Sequence, residues 1–570
     1  MNSFVKNNYL DLVIAFCVVV LFSVVFSFDR KISIDGDAKD YYSYLVSFFI
    51  DHNFTHQTGN SWYLLETPTG IINVHTIGVS LLMAPFFFLA LLSAKIFDFD
   101  MNGFSLPFQM GVYCAGIFYC TIGLIFIKKL LLQLNIHKGY VAALIILSCL
   151  GTHLFSYTVN EPGMAHVYAF ALTSMFFYFI LNLFQKRKAK YFYLSAIVLG
   201  LIILVRPVNI ILLTFIPFFF QNKYDLISTS KVILRTKHFY LSIIALFLIC
   251  SIQSIAWYAQ NGKLIQDSYV GNGFYFNHPQ ILKMLFGFNN GLFIYVPLCF
   301  LSLFGIIPMF VINRFKGFVF VVSLALIIYV FASYWAYNYF DGFGIRTFVD
   351  FLPMFIIAGA YMLQNFKPKL KYAVSGIALL FSALNLFYIY QYRSGIIKGN
   401  GMNFEKYSYI FLKGNKAYAD SLGGSNDLPL YSKKNPPLVF ENKMENKEVD
   451  VQNNDTTIIF NYNINTKRSN GFYTLIEFER KELNLNSSFR SFVVLNATDS
   501  IGTRKNYQSF RLNEIPSETC CDWKKYSYSI ASTGKFMKDD KLSLMILNPD
   551  RMPFFIKNFN VKIFDYSNNI

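Results

Sequence analysis

Charge is what this chain has least of. Only 15% of its 570 residues are Asp, Glu, Lys or Arg, against roughly 25% in a soluble domain. With 54% hydrophobic residues and a mean hydropathy of +0.40, that deficit excludes a water-soluble globular protein and predicts a polytopic membrane protein. Carboxylates are scarcer still, 33 Asp and Glu against 50 Lys and Arg. The resulting charge of +17 does not point to nucleic acid, because much of the basic charge sits in short loops between apolar runs, as in cytoplasmic loops. No metal-ligand spacing and no internal repeat is evident. Of the 8 cysteines, Cys17, Cys114, Cys120, Cys149, Cys250 and Cys299 lie in or beside apolar runs, where thiols behave as small hydrophobes. Cys520 and Cys521 are neighbours; a disulfide between them would be strained, so reduced or buried thiols are expected. No small-residue cleavage site follows the first apolar run, residues 10–28, which reads as a retained helix rather than a signal peptide.

What the chain does have is a series of runs near the roughly 20 apolar residues that cross a bilayer as a helix. They are residues 10–28, 76–97, 108–127, 140–157, 166–184, 191–220, 239–258, 291–312, 318–335, 348–363 and 372–390. Basic loops at Lys128-Lys129, 186–190, 223–237, 314–316 and 367–371 should be cytoplasmic, which puts residues 158–165, 260–290, 336–347 and everything after 391 outside. Two runs break the alternation. Residues 191–220 begin and end at basic loops, so they should hold two short crossings meeting at Arg206-Pro207-Val208-Asn209, each about 21 Å long, with Arg206 at a recessed, wet tip. Residues 76–97, with Pro85 near the middle, either re-enter the face they left or make Lys128-Lys129 an exception.

After Arg393 long apolar runs stop. Residues 456–462, 472–478, 489–495, 526–530, 541–547 and 554–564 alternate as short strands, predicting a small all-β sandwich. The expected organisation is a transmembrane domain over 1–391 with an outer first loop at 29–75, a polar connector at 392–440, and an extracytoplasmic β-sandwich over 441–570.

Just outside the first run, Ile34-Asp35-Gly36-Asp37-Ala38-Lys39-Asp40-Tyr41-Tyr42 gathers three carboxylates and two tyrosines. A carboxylate held against a bilayer loses hydration, so such a cluster binds a cation or serves as a base; a solvated loop cap is the plainer alternative. The first loop adds Asp51, Glu66 and His75, and the later outer loops add Asn160-Glu161-Pro162-Gly163-Met164-Ala165-His166, Arg206, Lys263, Asp267, His278 and Arg346. Acids and cations thus gather on one side from well-separated loops.

In this order the residues resemble the GT-C class of multi-spanning glycosyltransferases, in particular the branch that uses dolichyl- or polyprenyl-phosphate sugars and is related to protein mannosyltransferases. Gly36-Asp37 through Tyr41-Tyr42 is similar to the acidic first-loop motif of that class. Asn73-Val74-His75-Thr76-Ile77-Gly78 with Ala84-Pro85-Phe86 is similar to the loop's return into the membrane. Glu161 through His166 and Arg206-Pro207 fit later stretches, and Gly344-Ile345-Arg346-Thr347-Phe348-Val349-Asp350 fits a glycine-arginine-aspartate segment near the last spans. The likeness covers residues 10–391. It departs from the family where Ala38 follows Asp37 and where His75 stands in place of an aromatic.

The resemblance implies a GT-C-like, mainly α protein of about 11 to 13 transmembrane helices. It would move a sugar, with inversion, from a polyprenyl-phosphate donor to a glycan, lipid or protein acceptor at the extracytoplasmic face. The Lys-, Asn- and Phe-rich composition fits a bacterial inner membrane with the site and β-domain on the periplasmic side; membrane lipids are partners and nucleic acid is not. Such a reaction needs a base for the acceptor hydroxyl and cations for the departing phosphate. Asp37 is the expected base, Asp35 the alternative, and Asp40 an orienting acid. Arg206 and Arg346 would hold the phosphate, His166 would donate to it, Glu161 would position the acceptor, Lys263 and His278 would line the headgroup entrance, and Tyr41 and Tyr42 would stack on the sugar. No cofactor is required, although Asp35, Asp37 and Glu161 leave a divalent metal open. Each residue has a plainer reading: a snorkelling Arg206, a helix-capping Arg346, a structural His166, a helix-terminal Glu161, interfacial-belt tyrosines.

Two other functions compete. A transporter or flippase for lipid-linked saccharides would show paired repeats and charges inside its spans. An O-antigen-type ligase or polymerase would lean on arginines and histidines of a late outer loop. The end of the β-region, Asp522-Trp523-Lys524-Lys525-Tyr526 through Asn548-Pro549 to residues 554–564, is similar to jelly-roll carbohydrate-binding modules, with a structural cap as the alternative.

Overall fold

The computed structural model describes residues 3–27, 32–54, 64–67, 69–266, 273–425, 437–444, 449–450, 455–465, 468–517 and 519–565; Asp267 lies outside them, as does the Glu66 side chain. The chain divides into two compact units. One is Met1–Tyr269, Tyr295–Phe331 and Arg346–Ile389; the other is Val270–Ile294, Ala332–Ile345 and Tyr390–Ile570. Much of the expected outer loops 260–290 and 336–347, with residues 291–294 and 332–335 expected at the ends of spans, therefore groups with the C-terminal part.

The first unit is helical. Seven helices among the described residues are long and apolar enough to cross a membrane, and nine if two bent pairs each count once. The chain is an integral membrane protein. Its large apolar side chains that face outward, such as Phe247, Leu248 and Ile255, suit lipid. Helix α1 (Ser3–Ser27) is followed by a short helix α2 (Asp37–Phe49), a hairpin of β1 (Leu64–Thr67) and β2 (Gly70–Asn73), then α3 (Gly78–Ile96) and α4 (Leu106–Gln133). Next come α5 (Lys138–Leu150) and α6 (His153–Val159), bent by 56°, then α7 (Ala165–Lys186) and α8 (Ala189–Val205). Helix α7 is the central one, with 83% of its span buried.

The contacts of residues 76–97 argue for re-entry. Helix α3 is continuous through Pro85, and its 19 residues reach about 28 Å. The start of α3 sits by Leu204 and Val205 at the C-terminal end of α8. The Tyr119 hydroxyl of mid-α4 donates to the Leu82 carbonyl, and Gly111 near the start of α4 meets Phe86 and Ala90. That same end of α4 is tied to the chain just beyond α1 through Ser33 and Gln109. Helix α3 thus runs antiparallel to α4, from the level of mid-α4 at its start to the level of the first turn of α4 at its end. The far end of α4 pairs Lys128 with Asp11 of α1 and packs Phe126 on Phe179 of α7.

The expected pair of short crossings also exists, in an unexpected form. Helix α8 stops at Val205, and after Arg206 the chain continues as a 3₁₀ helix, Pro207–Phe219. The 17 residues of α8 span about 26 Å at the α-helical rise. The 13 residues of the 3₁₀ segment also span about 26 Å at its steeper rise. The tighter helix lets the shorter arm match the longer one, so the arms exceed the 21 Å expected of them.

In the second unit, strands β3 (Leu438–Met444), β4 (Val449–Asp450), β5 (Thr456–Asn463), β6 (Arg468–Glu482), β7 (Phe492–Thr498), β8 (Arg504–Arg511), β9 (Trp523–Met537), β10 (Lys541–Leu547) and β11 (Phe554–Asp565) form two antiparallel sheets. Their orders are β5-β10-β7-β8 and β3-β11-β6-β9, with β4 also on β11. Phe460, Leu495 and Leu544 of one sheet and Ile476, Tyr528 and Ile563 of the other share one core. This is the predicted sandwich. Strands β3, β4 and β8 were not among the expected ones. Cys520 and Cys521 are free thiols, exposed rather than buried.

Candidate functional site

The site assembles where breaks in helices release side chains. Gly36, at φ +54° and ψ −138°, turns the chain from α1 into α2, a conformation that a Cβ opposes, and so starts α2 at Asp37. Gly163 lets the Glu161–His166 loop touch the same place, since a Cβ there would lie 2.5 Å from the Ala38 Cβ. Helix α7 begins one residue before His166, and α8 ends one residue before Arg206. The α7–α8 pair is antiparallel, with Phe179 against Tyr191 near the basic turn and Arg206 against His166 at the other end. A 3₁₀ turn, Arg346–Val349, supplies Arg346 and leads directly to Asp350.

Asp350 is the fixed point. It is 0% exposed, and its two oxygens are both engaged. Oδ1 lies 2.9 Å from His166 Nδ1, while Oδ2 accepts from Asn209 Nδ2 at 2.8 Å and from Arg206 Nη1 at 3.3 Å. Arg206 Nη1 is also 3.1 Å from His166 Nδ1. A guanidinium only donates, so one consistent assignment has both His166 Nδ1–H and Arg206 donating to the carboxylate, with the lone pair of His166 on Nε2. The buried Asp350 charge is thereby compensated, and Arg206, still 16% exposed, is held in one orientation.

Beside this cluster Arg346 Nη2 bonds Asp37 Oδ2 at 2.9 Å, with the two side chains 17% and 14% exposed. Burial alone would lower the pKa of Arg346, but the charges of Asp37, Tyr157, Glu161 and Tyr41 outweigh it and raise the value. The guanidinium stays charged, and its electrostatic surroundings include Glu161.

His75 links the two groups. Burial, opposed by the charge of Asp37 and reinforced by Arg346 and Arg206, lowers its imidazole to about 4, so His75 is neutral at pH 7. Its ring meets Tyr41 edge-on at 4.5 Å, its backbone N–H donates to Asn73 Oδ1, and its backbone carbonyl accepts from the Tyr44 hydroxyl. Asn73 in turn donates to the Asp40 carbonyl. A small neutral ring fits where a bulkier aromatic was expected.

The structure therefore brings together Asp37, Tyr41, Glu161, His166, Arg206 and Arg346 of the residues singled out from sequence. The others are placed differently. Asp35 is exposed and caps the Gly36 N–H. Asp40 is fully buried within α2. Tyr42 is a core residue, 1% exposed, against Phe87 and Phe104; with a buried ring it has no open face for a sugar. Lys263 is exposed, its N–H held by Asn261, and His278, in the other unit, is exposed. Among the described residues no three His, Cys, Asp or Glu side chains group as metal ligands, so Asp35, Asp37 and Glu161 do not form a metal-holding set. Asp350, Asn209 and His75 had no assigned role. Asp350 was signalled by its position four residues after Arg346 at the entry to an apolar run, where an uncompensated carboxylate is costly.

No family profile and no curated protein matches the sequence. Among solved structures, the chain is similar to the Archaeoglobus fulgidus oligosaccharyltransferase in its apo form, at 12% identity and a TM-score of 0.41, over 77% of this chain and 62% of that one. It is also similar to the oligosaccharyltransferase AglB of the same organism in complex with an inhibitory peptide and a dolichol-phosphate, at 12% identity and a TM-score of 0.39, with the same coverage. The chain thus spans less than two thirds of the length of the structures it matches.

Proposed function

We propose that this protein is an inverting glycosyltransferase that moves a sugar from a polyprenyl-phosphate donor to an acceptor hydroxyl at the extracytoplasmic membrane face. The observation that carries the reading is an early aspartate paired with a late guanidinium, Asp37 on Arg346, with a second guanidinium, Arg206, held on Asp350 and His75 in the field of all three charges Asp37, Arg346 and Arg206. The basic residues Lys128, Lys129, Lys186, Lys188 and Lys190 lie at the opposite ends of α4, α7 and α8, which favours an outer location for the cluster.

In this reading Asp37 takes the proton of the acceptor hydroxyl. The freed oxygen attacks the anomeric carbon as the carbon–phosphate oxygen bond breaks, and the phosphate leaves with the bonding electrons. Arg206, oriented by Asp350 and Asn209, and Arg346 stabilise the phosphate charge. Glu161 positions the acceptor. A guanidinium at 2.9 Å weakens Asp37 as a proton acceptor. The donor phosphate competes for Arg346, so donor binding releases the base, and acceptor activation waits for a loaded donor. The test is Asp37→Asn in purified protein supplied with polyprenyl-phosphate sugar. Transfer should fall about 10²- to 10⁴-fold, the usual contribution of a general base, while the protein inserts and melts as before. Undiminished transfer by that variant overturns the assignment.

A further inference from the structure

The second unit contains a groove that the transfer reading does not use. The connector packs onto one end of the sandwich: the Gly423 N–H donates to the Glu514 carbonyl, the Gly424 N–H to the Arg511 carbonyl, and Arg511 Nη1 to the Asp420 carbonyl. Between them lies a cleft of about 710 Å³, inside the range of small-molecule sites, about 300–1,000 Å³. Its chemistry is unlike that of the apolar sandwich core. Tyr409, Tyr418 and Phe489 contribute half-buried rings, and Arg490, Arg511 and Asp550 contribute charged groups.

The parts are arranged in pairs. Tyr409 and Tyr418 meet edge to face at 5.8 Å, with their ring planes 66° apart. The Arg511 guanidinium lies 4.9 Å over the Phe489 ring. Arg490 Nη1 bonds Asp550 Oδ2 at 3.3 Å. Pyranose rings offer apolar C–H faces for aromatic stacking and rows of hydroxyls for planar, bidentate groups such as guanidinium and carboxylate. Half-buried rings beside paired, exposed polar groups meet both demands. The lining holds two arginines, Arg490 and Arg511, and two aspartates, Asp420 and Asp550, so no excess positive charge is left to select an anion.

We propose that this groove, formed by residues 409–421 and the sandwich end around Phe489-Arg490, Arg511 and Asp550, binds a neutral oligosaccharide. It is a second carbohydrate site, and it stands whether or not the transferase reading does. The full chain in detergent is titrated by calorimetry and by saturation-transfer NMR against neutral di- to tetrasaccharides of glucose, mannose, galactose and N-acetylglucosamine. At least one should bind, with Tyr418→Ala and Arg490→Ala each weakening it about tenfold or more, in line with stacking and charge-assisted hydrogen bonds. Tyr418→Phe should retain binding, because the ring is what stacks, and unchanged melting of the variants excludes misfolding. The proposal is overturned if no member of the panel binds up to about 10 mM, weaker than any site of use. It is equally overturned if binding survives both alanine variants, or if only acidic saccharides bind.

Discussion

In the sandwich, Arg480 and Glu482 lie two residues apart on one face of β6, 1% and 5% exposed. Ser487, Ser488, Asn513 and Ser517 all donate to the Glu482 carboxylate, and Arg480 donates to the Leu512 carbonyl and the Tyr526 hydroxyl. In the helical unit, Asp37 and Arg346 come from distant parts of the chain, and both side chains stand partly open. The same chemical pair serves two ends. A carboxylate saturated with hydroxyl and amide donors is part of the fold, whereas one that keeps open surface can exchange its partner for a ligand. The neighbouring Asp350 is of the first kind, and through it Arg206 is supplied ready-oriented to a site of the second kind.

That contrast predicts which substitutions hurt function and which hurt folding. The largest effect is the loss of transfer in Asp37→Asn given above, without loss of stability. Glu482→Gln should do the reverse: it leaves Arg480 buried without its charge partner, costing about 3–5 kcal/mol, visible as a lower melting temperature of the sandwich. Residual folded protein should transfer normally. Next comes acidity. His75 is neutral in the fold with a value near 4 against about 6.5 in the unfolded chain, so the unfolded state binds the extra proton between those values. The contribution of His75 to stability should be constant above pH 6.5 and fall toward pH 4, by at most about 3.4 kcal/mol, and His75→Gln should flatten that slope in thermal melts. The smallest effect is expected for Asp350→Asn, which keeps hydrogen-bonding atoms but removes the charge that orients Arg206. Transfer should fall about tenfold to a hundredfold, as small misplacements do, with the KM for donor rising more than kcat falls. An unchanged KM would show that Asp350 only packs.

Much of the site was legible because its signals are local. Three acids in six residues announce Asp37, and Arg206-Pro207 marks a helix end because proline has no N–H to continue the ladder. What was not legible depends on three-dimensional neighbours. Tyr41 and Tyr42 are adjacent in sequence, yet one meets His75 and the other Phe87, which follows from the turn of α2 against α3. Asn209 and Asp350 meet only because the 3₁₀ segment and the 346–350 turn share an end of the unit. In the sandwich, β8 reads Arg504-Lys505-Asn506-Tyr507-Gln508-Ser509-Phe510-Arg511, with too few apolar residues to show an alternating pattern. It is a strand because it pairs along β7.

Helix α3 has a practical consequence for any topology map of this protein. Hydropathy counts it as a crossing, whereas re-entry puts every later segment on the opposite side of the bilayer from the one a hydropathy map draws. A cysteine placed at Asn102 and one placed at Asp35 should instead react with the same impermeant reagent, added to the same compartment.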